Sequence, residues 1–206
     1  MASEEFVPTP AYLWFDTEFT DLDPNKARLL QVALLITDRN LNRLTPAEKD
    51  INLYIRLDPS AKVSSWVEEN LPDLLARCRS DEAVELEEAD RRLAELVDGV
   101  IGPIDEAITK RPVLAGNAVY VDRNMARMFL PRFVNRLHYR VLDVSALKIV
   151  WNDWMLGETF DKEKPEHIRG NLPDSVMLPA GSVHDAYYDI HASLAELNAY
   201  RKRFLE

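Results

Sequence analysis

Two carboxylates interrupt an apolar stretch near the start of the chain, and no other feature constrains the fold as strongly. Residues 12–15 (YLWF) precede Asp16, and Glu18 follows two residues later. The apolar run predicts a buried strand, and because side chains alternate along a strand, Asp16 and Glu18 point to the same face. Two buried like charges are costly unless a cation lies between them, and hard divalent cations prefer carboxylate oxygens. The pair therefore indicates a candidate metal site.

The composition predicts one soluble domain. A chain of 206 residues, 47% hydrophobic and 9% aromatic, is long and apolar enough for one sizeable core, so we expect a single domain over 1–206. No apolar run is long enough to span a bilayer, and no secretion signal precedes the first strand. The single cysteine, Cys78, excludes an internal disulfide and fits a reducing compartment. We expect a cytoplasmic protein without a membrane partner.

The charge of the chain limits its ligands. A formal net charge of −10 argues against a broad basic surface that binds long nucleic acid, including long duplexes. It remains compatible with a short anionic substrate held by bound metal ions and a few arginines.

Hydrophobic patterns predict an α/β fold with a mixed five-stranded sheet flanked by helices. The first three predicted strands follow one another as a meander, and helices separate the other two; the strands cover 12–18, 29–37, 51–57, 112–117 and 139–144. Helices with 3.6-residue periodicity are predicted over 64–79, 81–101, from about 120 with a kink or restart at Pro131, from an N-cap at Ser145 to about 155, and over 184–205. We expect residues 1–10 to form a flexible tail. Residues 157–182 are expected to form a long loop, of the kind that often serves as a lid or binds a ligand.

Three further polar residues occur where a strand gives way to a helix or within the last helix. Asp122 follows a Gly-Asn turn, at a place where α/β sheets expose their sites, although helix dipoles also favour ordinary acids there. Asp189 lies among residues that should face the core, and a buried aspartate needs a partner. His184 precedes it by five residues; alone it would be interpreted as a capping or surface residue.

In combination these residues resemble the DEDDh exonuclease family, most closely its oligoribonucleases. The motifs that carry the resemblance, in chain order, are WFDTEFTDLDP over 14–24, Gly116-Asn117 through Asp122-Arg123, HYRVLDVS over 138–145, and His184 to Asp189 followed by SLAEL over 193–197. The resemblance covers most of the chain, is thin between about 58 and 111, and is absent over 157–182. It implies an RNase H-like exonuclease fold.

The resemblance also implies a reaction. Asp16, Glu18, Asp122 and Asp189 would bind two divalent cations, Mg²⁺ or Mn²⁺, and His184 would be the general base. The implied enzyme is a metal-dependent 3′–5′ exoribonuclease that degrades short oligoribonucleotides, mainly dinucleotides, to nucleoside 5′-monophosphates.

The same resemblance implies substrate contacts and a homodimer. Leu22 would wedge against the bases at the 3′ end, and Trp66 would line the base site, although an anchor in a helix core is an equally good interpretation of Trp66. Tyr139, Arg140 and Ser145 would cap the 5′ phosphate from the partner subunit, and the arginine fork suits a phosphate.

Three positions depart from the family pattern. Leu71 replaces a histidine near the bases, Ala118 a serine near the phosphate, and Tyr188 an acid beside the last ligand. None is one of the five chemical residues, so the predicted reaction stands. Two alternatives stay open beside it. The chain could act on longer single-stranded DNA or RNA, or it could bind nucleotides without catalysis.

Overall fold

The computed structural model describes residues 9–155 and 159–204, and at its centre is a mixed five-stranded sheet. The strands are β1 (Tyr12–Phe19), β2 (Leu29–Thr37), β3 (Ile51–Tyr54), β4 (Val113–Gly116) and β5 (Val141–Asp143). Their order across the sheet is β3-β2-β1-β4-β5; β1 and β3 pair antiparallel with β2, and β4 pairs parallel with β1 and β5. The predicted mixed sheet and its initial meander are confirmed.

Helices flank this sheet on both sides. Those of the described residues are α1 (Ser65–Asn70), α2 (Pro72–Cys78), α3 (Leu86–Ile101), α4 (Tyr120–Phe129), α5 (Pro131–Val134), α6 (Val144–Trp154), α7 (Pro165–Asn171) and α8 (Ala186–Phe204), with 3₁₀ turns at Ala47–Lys49 and Ile108–Lys110. The predicted restart at Pro131 is confirmed. None of these helices combines the length and the apolar character that crossing a membrane requires.

Two cores lie on opposite faces of β1. Leu13 and Phe15 pack on one face with α3, α4 and α5, whereas Trp14 packs on the other with α6, α7 and α8. Because side chains alternate, Asp16 and Glu18 continue the Trp14 face. The two carboxylates therefore emerge at the end of β1 on the side where α8 packs.

The helix predicted over 64–79 is two helices. The break lies at Leu71, because Pro72 opens α2 and disfavours helical backbone at the residue before it. Cys78, which ends α2, is fully buried and donates to the backbone oxygen of Leu30.

The third strand and the following helix are both shorter than predicted. The strand predicted to reach Leu57 ends at Tyr54, and Ile55 forms an isolated parallel bridge with Val84. This bridge holds the chain extended before α3, so the helix predicted from Asp81 begins only at Leu86.

The connection from β5 to α8 differs from the prediction at two places. The N-cap of α6 is Asp143 rather than Ser145, since the Asp143 carboxylate accepts a hydrogen bond from the Ser145 backbone nitrogen at 3.0 Å; a cap of this type contributes about 1 kcal/mol. The predicted loop over 157–182 contains the helix α7. The start of that loop, most of the predicted tail and the end of the last helix fall on 156–158, 1–8 and 205–206, outside the described residues.

Candidate active site

Three carboxylates converge where β1 ends. Asp16 and Glu18 are partly buried at this end of the strand, and Asp189 is buried in the first turn of α8. One oxygen of each carboxylate lies within 4.8 Å of the others. A compact set of hard oxygen donors fits a divalent cation.

Asp122 reaches the same cleft from the first turn of α4 and is only 5% exposed. Its Oδ1 accepts two hydrogen bonds from Thr17, at 2.9 Å from the backbone nitrogen and 2.7 Å from the hydroxyl. Thr17 is the residue between Asp16 and Glu18, so β1 itself holds the fourth carboxylate beside the other three. An ordinary surface acid at a helix start would not be buried in this way.

Crowding and burial raise the pKa values of these carboxyl groups. Burial is the main cause, and neighbouring carboxylates add to it: the pKa of Glu18 rises to about 8, and the pKa of Asp16 lies well above its usual range. Burial also raises the pKa of Asp122 to about 7, although the hydrogen bonds from Thr17 lower it in part. Ionising several neighbouring buried carboxylates is costly, and a bound divalent cation stabilises their ionised forms. The four carboxylates therefore fit Mg²⁺ or Mn²⁺.

His184 is exposed just ahead of α8 and is tied to the carboxylates through its backbone. Its φ of 67° is left-handed, a conformation that histidine adopts more readily than most residues. The His184 backbone nitrogen donates to Asp189 Oδ2 at 2.8 Å, which leaves the ring to line the cleft. The same ring meets Trp66 edge-on, with centroids 5.2 Å apart.

An apolar groove of about 440 Å³ adjoins the acidic cleft. Leu22 and Trp66 line it with exposed fractions of 86% and 48%, together with Phe19 and Val67. Glu18, Phe19, Leu22 and His184 line both the groove and the cleft, which has about 430 Å³. Trp66 is thus a groove residue and not the anchor of a helix core.

The residues predicted to cap a 5′ phosphate do not come together within one chain. Ser145 lines the acidic cleft, where its Oγ accepts from the backbone nitrogen of Ala118 at 2.9 Å. Tyr139 and Arg140 are exposed ahead of β5, with the guanidinium over the tyrosine ring at 5.2 Å. Their role as a cap remains a prediction.

Thr17 and Lys162 are cleft residues that the sequence analysis did not identify. For Thr17 the signal was its place inside the Asp16-x-Glu18 motif. Lys162 lies before α7, and its Nζ is 3.4 Å from Asp189 Oδ1. Nothing in the sequence marked Lys162, because its place in the cleft depends on a contact with a residue 27 positions away.

The three departures from the family pattern occupy packing and turn positions. Leu71 packs against buried side chains of α1 and α2, and Tyr188 is a buried core residue of α8 itself. Ala118 has a left-handed φ of 47° and donates its backbone nitrogen to Asp143 and Ser145. None of the three disrupts the carboxylate cluster.

Comparisons with known proteins agree with this geometry. The RNase_T model, described as exonuclease, matches residues 13–197. The chain is 27% identical to an oligoribonuclease of Francisella tularensis over 194 residues, covering 94% of this chain and 95% of that one. It is 30% identical to an oligoribonuclease of Azoarcus sp. over 195 residues, covering 94% of each.

Solved structures show the same fold. The Mg²⁺- and Mn²⁺-bound form of S. pombe Pop2p matches with a TM-score of 0.59 at 14% identity, covering 96% of this chain and 84% of that one. A zinc-bound E. coli ExoI–ssDNA complex matches with a TM-score of 0.63 at 14% identity. The alignment covers 95% of this chain but only 41% of that one. These neighbours confirm the predicted RNase H-like exonuclease fold.

Proposed function

Because the chain belongs to the exonuclease family and is a 3′–5′ exoribonuclease, we propose that it degrades short oligoribonucleotides, mainly dinucleotides, to nucleoside 5′-monophosphates. One observation carries the proposal: Asp16, Glu18, Asp122, Asp189 and His184 all line a single cleft. Four carboxylates can hold divalent cations and a histidine can act as general base, which together suit metal-assisted phosphodiester hydrolysis.

The four carboxylates would hold two divalent cations, Mg²⁺ or Mn²⁺. When bound, such ions activate a water and stabilise the leaving oxygen. Asp16 would hold an ion together with Glu18 and Asp189, because one oxygen of each lies within 4.8 Å of the others. Burial, and after it the charge of Asp122, raises the pKa of Asp16 well above its usual range. Thr17 keeps Asp122 oriented toward the cleft through its two hydrogen bonds.

His184 takes the proton from the attacking water. Its ring lines the cleft beside the carboxylates, and an imidazole suits general-base catalysis near neutral pH. The Trp66 ring packs on one side of it, and the backbone bond to Asp189 fixes the start of its side chain. The base is thereby positioned relative to a metal ligand.

The groove next to the cleft provides the substrate site. Leu22 and Trp66 present apolar surfaces on which two bases can pack beside the catalytic carboxylates. Tyr139 and Arg140 from a partner subunit, with Ser145, would close the far end on the 5′ phosphate. Such a cap favours dinucleotides over longer chains and requires a homodimer.

The test is hydrolysis of a 5′-labelled dinucleotide with Mn²⁺. We expect labelled monophosphate from the wild type, loss of at least about a hundredfold in rate with Asp16→Ala, and wild-type turnover with Asp73→Ala, which removes an exposed acid of α2 away from the cleft. No monophosphate from the wild type, or equal rates for Asp16→Ala, would contradict the proposal.

A length series defines the substrate. If the far end of the groove is capped, the turnover rate should fall as the substrate lengthens from two to five to twenty nucleotides. A rate that rises with length would favour an enzyme of longer single strands. Dinucleotide binding without metal and without cleavage would favour a non-catalytic binding protein.

A further inference from the structure

The segment over 159–164, ahead of α7, places a lysine in the acidic cleft. Phe160 is buried in the core beside α8 and anchors this segment. Two residues later, Lys162 turns its side chain to the carboxylates, with Nζ 3.4 Å from Asp189 Oδ1. Its positive charge also lowers the pKa values of Asp16 and Glu18, against the effect of burial.

Lys148 also lines the cleft, but its ion-pair partner differs from that of Lys162. Lys148 pairs with Glu196 at 3.5 Å, and Glu196 is fully buried, accepting further hydrogen bonds from Asn117 and Tyr200. Lys148 therefore has a partner outside the predicted metal ligands. The one anion paired with Lys162 among the described residues is Asp189, a predicted metal ligand.

Metal binding would change the partner of Lys162. A divalent cation held by Asp189 would place two positive charges close to an ammonium that is 3.4 Å from the same carboxylate. Like charges repel at this range, and the lysine side chain is long and flexible. The anion then brought to the cleft is the phosphate of the substrate.

We propose that Lys162 is a phosphate-contacting residue that pairs with Asp189 in the metal-free protein and moves to the substrate phosphate when metal and dinucleotide bind. This inference rests on the proposed function. The lysine of this ion pair is 38% exposed, so the pair by itself contributes little to stability.

The experiment compares Lys162→Gln, Lys162→Arg and the control Lys164→Gln. Lys164 lies on the same segment but pairs with Asp161 at 3.2 Å and is 54% exposed. With saturating Mn²⁺, Lys162→Gln should raise KM for the dinucleotide about tenfold, the loss expected for one charge-assisted hydrogen bond. Lys162→Arg should stay within about threefold of the wild type, because it keeps the charge. Lys164→Gln should change nothing.

Calorimetric titration with Mn²⁺ alone gives a readout independent of turnover. Removing a competing cation should leave Mn²⁺ binding to Lys162→Gln as tight as in the wild type or tighter. Weaker Mn²⁺ binding would overturn the inference, since Lys162 would then support the metal ligands. An unchanged KM in an active Lys162→Gln enzyme would overturn the inference alone, whereas an inactive wild type would overturn the proposed function and the inference together.

Discussion

At the scale of single residues, the Asp189 carboxylate contacts three separate parts of the site. Its carboxylate belongs to the ligand group with Asp16 and Glu18, accepts from the His184 backbone at 2.8 Å, and pairs with Lys162. The segment that carries the proposed base and the segment that carries the lysine therefore meet at one predicted metal ligand. A substitution that removes this carboxylate would remove a contact to each of the two segments.

His184→Asn separates chemistry from metal binding. Asparagine tolerates the left-handed φ and keeps the backbone hydrogen bond to Asp189, so only the imidazole is lost. We expect kcat to fall by about 10²–10⁴ with Mn²⁺ affinity unchanged, measured by steady-state kinetics and calorimetry. A parallel loss of Mn²⁺ affinity would mean that the histidine acts through the metal ligands.

Divalent cation binding should release protons. The pKa of about 8 for Glu18 and about 7 for Asp122 in the metal-free protein mean that both are partly protonated near pH 7. A cation binds the ionised forms, so it displaces protons, and its apparent affinity should rise as the pH increases from about 6 to about 8. Calorimetry with Mn²⁺ in two buffers of different ionisation enthalpy measures the release. Heats that do not depend on the buffer would contradict the raised pKa values.

At the scale of elements, α5 depends on a carboxylate from another helix. It has four residues, Pro131–Val134, and is too short to be stable alone. The Asp90 carboxylate of α3 accepts from the backbone nitrogens of Arg132 and Phe133 at 3.0 and 2.9 Å. Asp90 is buried, and these bonds satisfy donors that a helix start leaves unpaired.

Asp90→Ala should destabilise the protein by about 1–3 kcal/mol, because it leaves two backbone donors unsatisfied. The matched control is Asp98→Ala, which removes a partly exposed ion pair to Arg136 from the same helix and should cost less than about 1 kcal/mol. Urea unfolding monitored by circular dichroism measures both. Equal effects would show that the Asp90 cap contributes no more than the ion pair.

At the scale of the whole molecule, the proposed phosphate cap requires two subunits. Tyr139 and Arg140 are exposed, and Ser145 alone of the three lines the cleft of its own chain. A site completed across a two-fold axis is made from both chains.

Complementation tests this arrangement. Asp16→Ala and Arg140→Ala homodimers should each be poorly active. A purified heterodimer with one subunit of each kind carries one intact site of two, and should recover about half of the wild-type activity toward dinucleotides. A heterodimer as inactive as its parents, or a monomer by sedimentation, would contradict a cap supplied in trans.

The sequence alone determined the elements whose signal is local. The apolar run before Asp16 defines β1, and the nine buried residues of β2 match the predicted span 29–37. Strand alternation places Asp16 and Glu18 on one face without reference to any other part of the chain. The four-carboxylate ligand set was also predicted from sequence and remains a prediction; only the resemblance joined Asp122 and Asp189 to the first pair.

Only the tertiary structure decided what depends on distant contacts. The bridge between Ile55 and Val84 delays α3, and no local pattern reports it. The hydrogen bonds from Thr17 to Asp122 join residues 105 positions apart. Lys162 reaches Asp189, which lies 27 positions further along the chain. Side-chain periodicity is set by the backbone of one segment, whereas these contacts are set by how segments pack, and packing is a property of the whole chain.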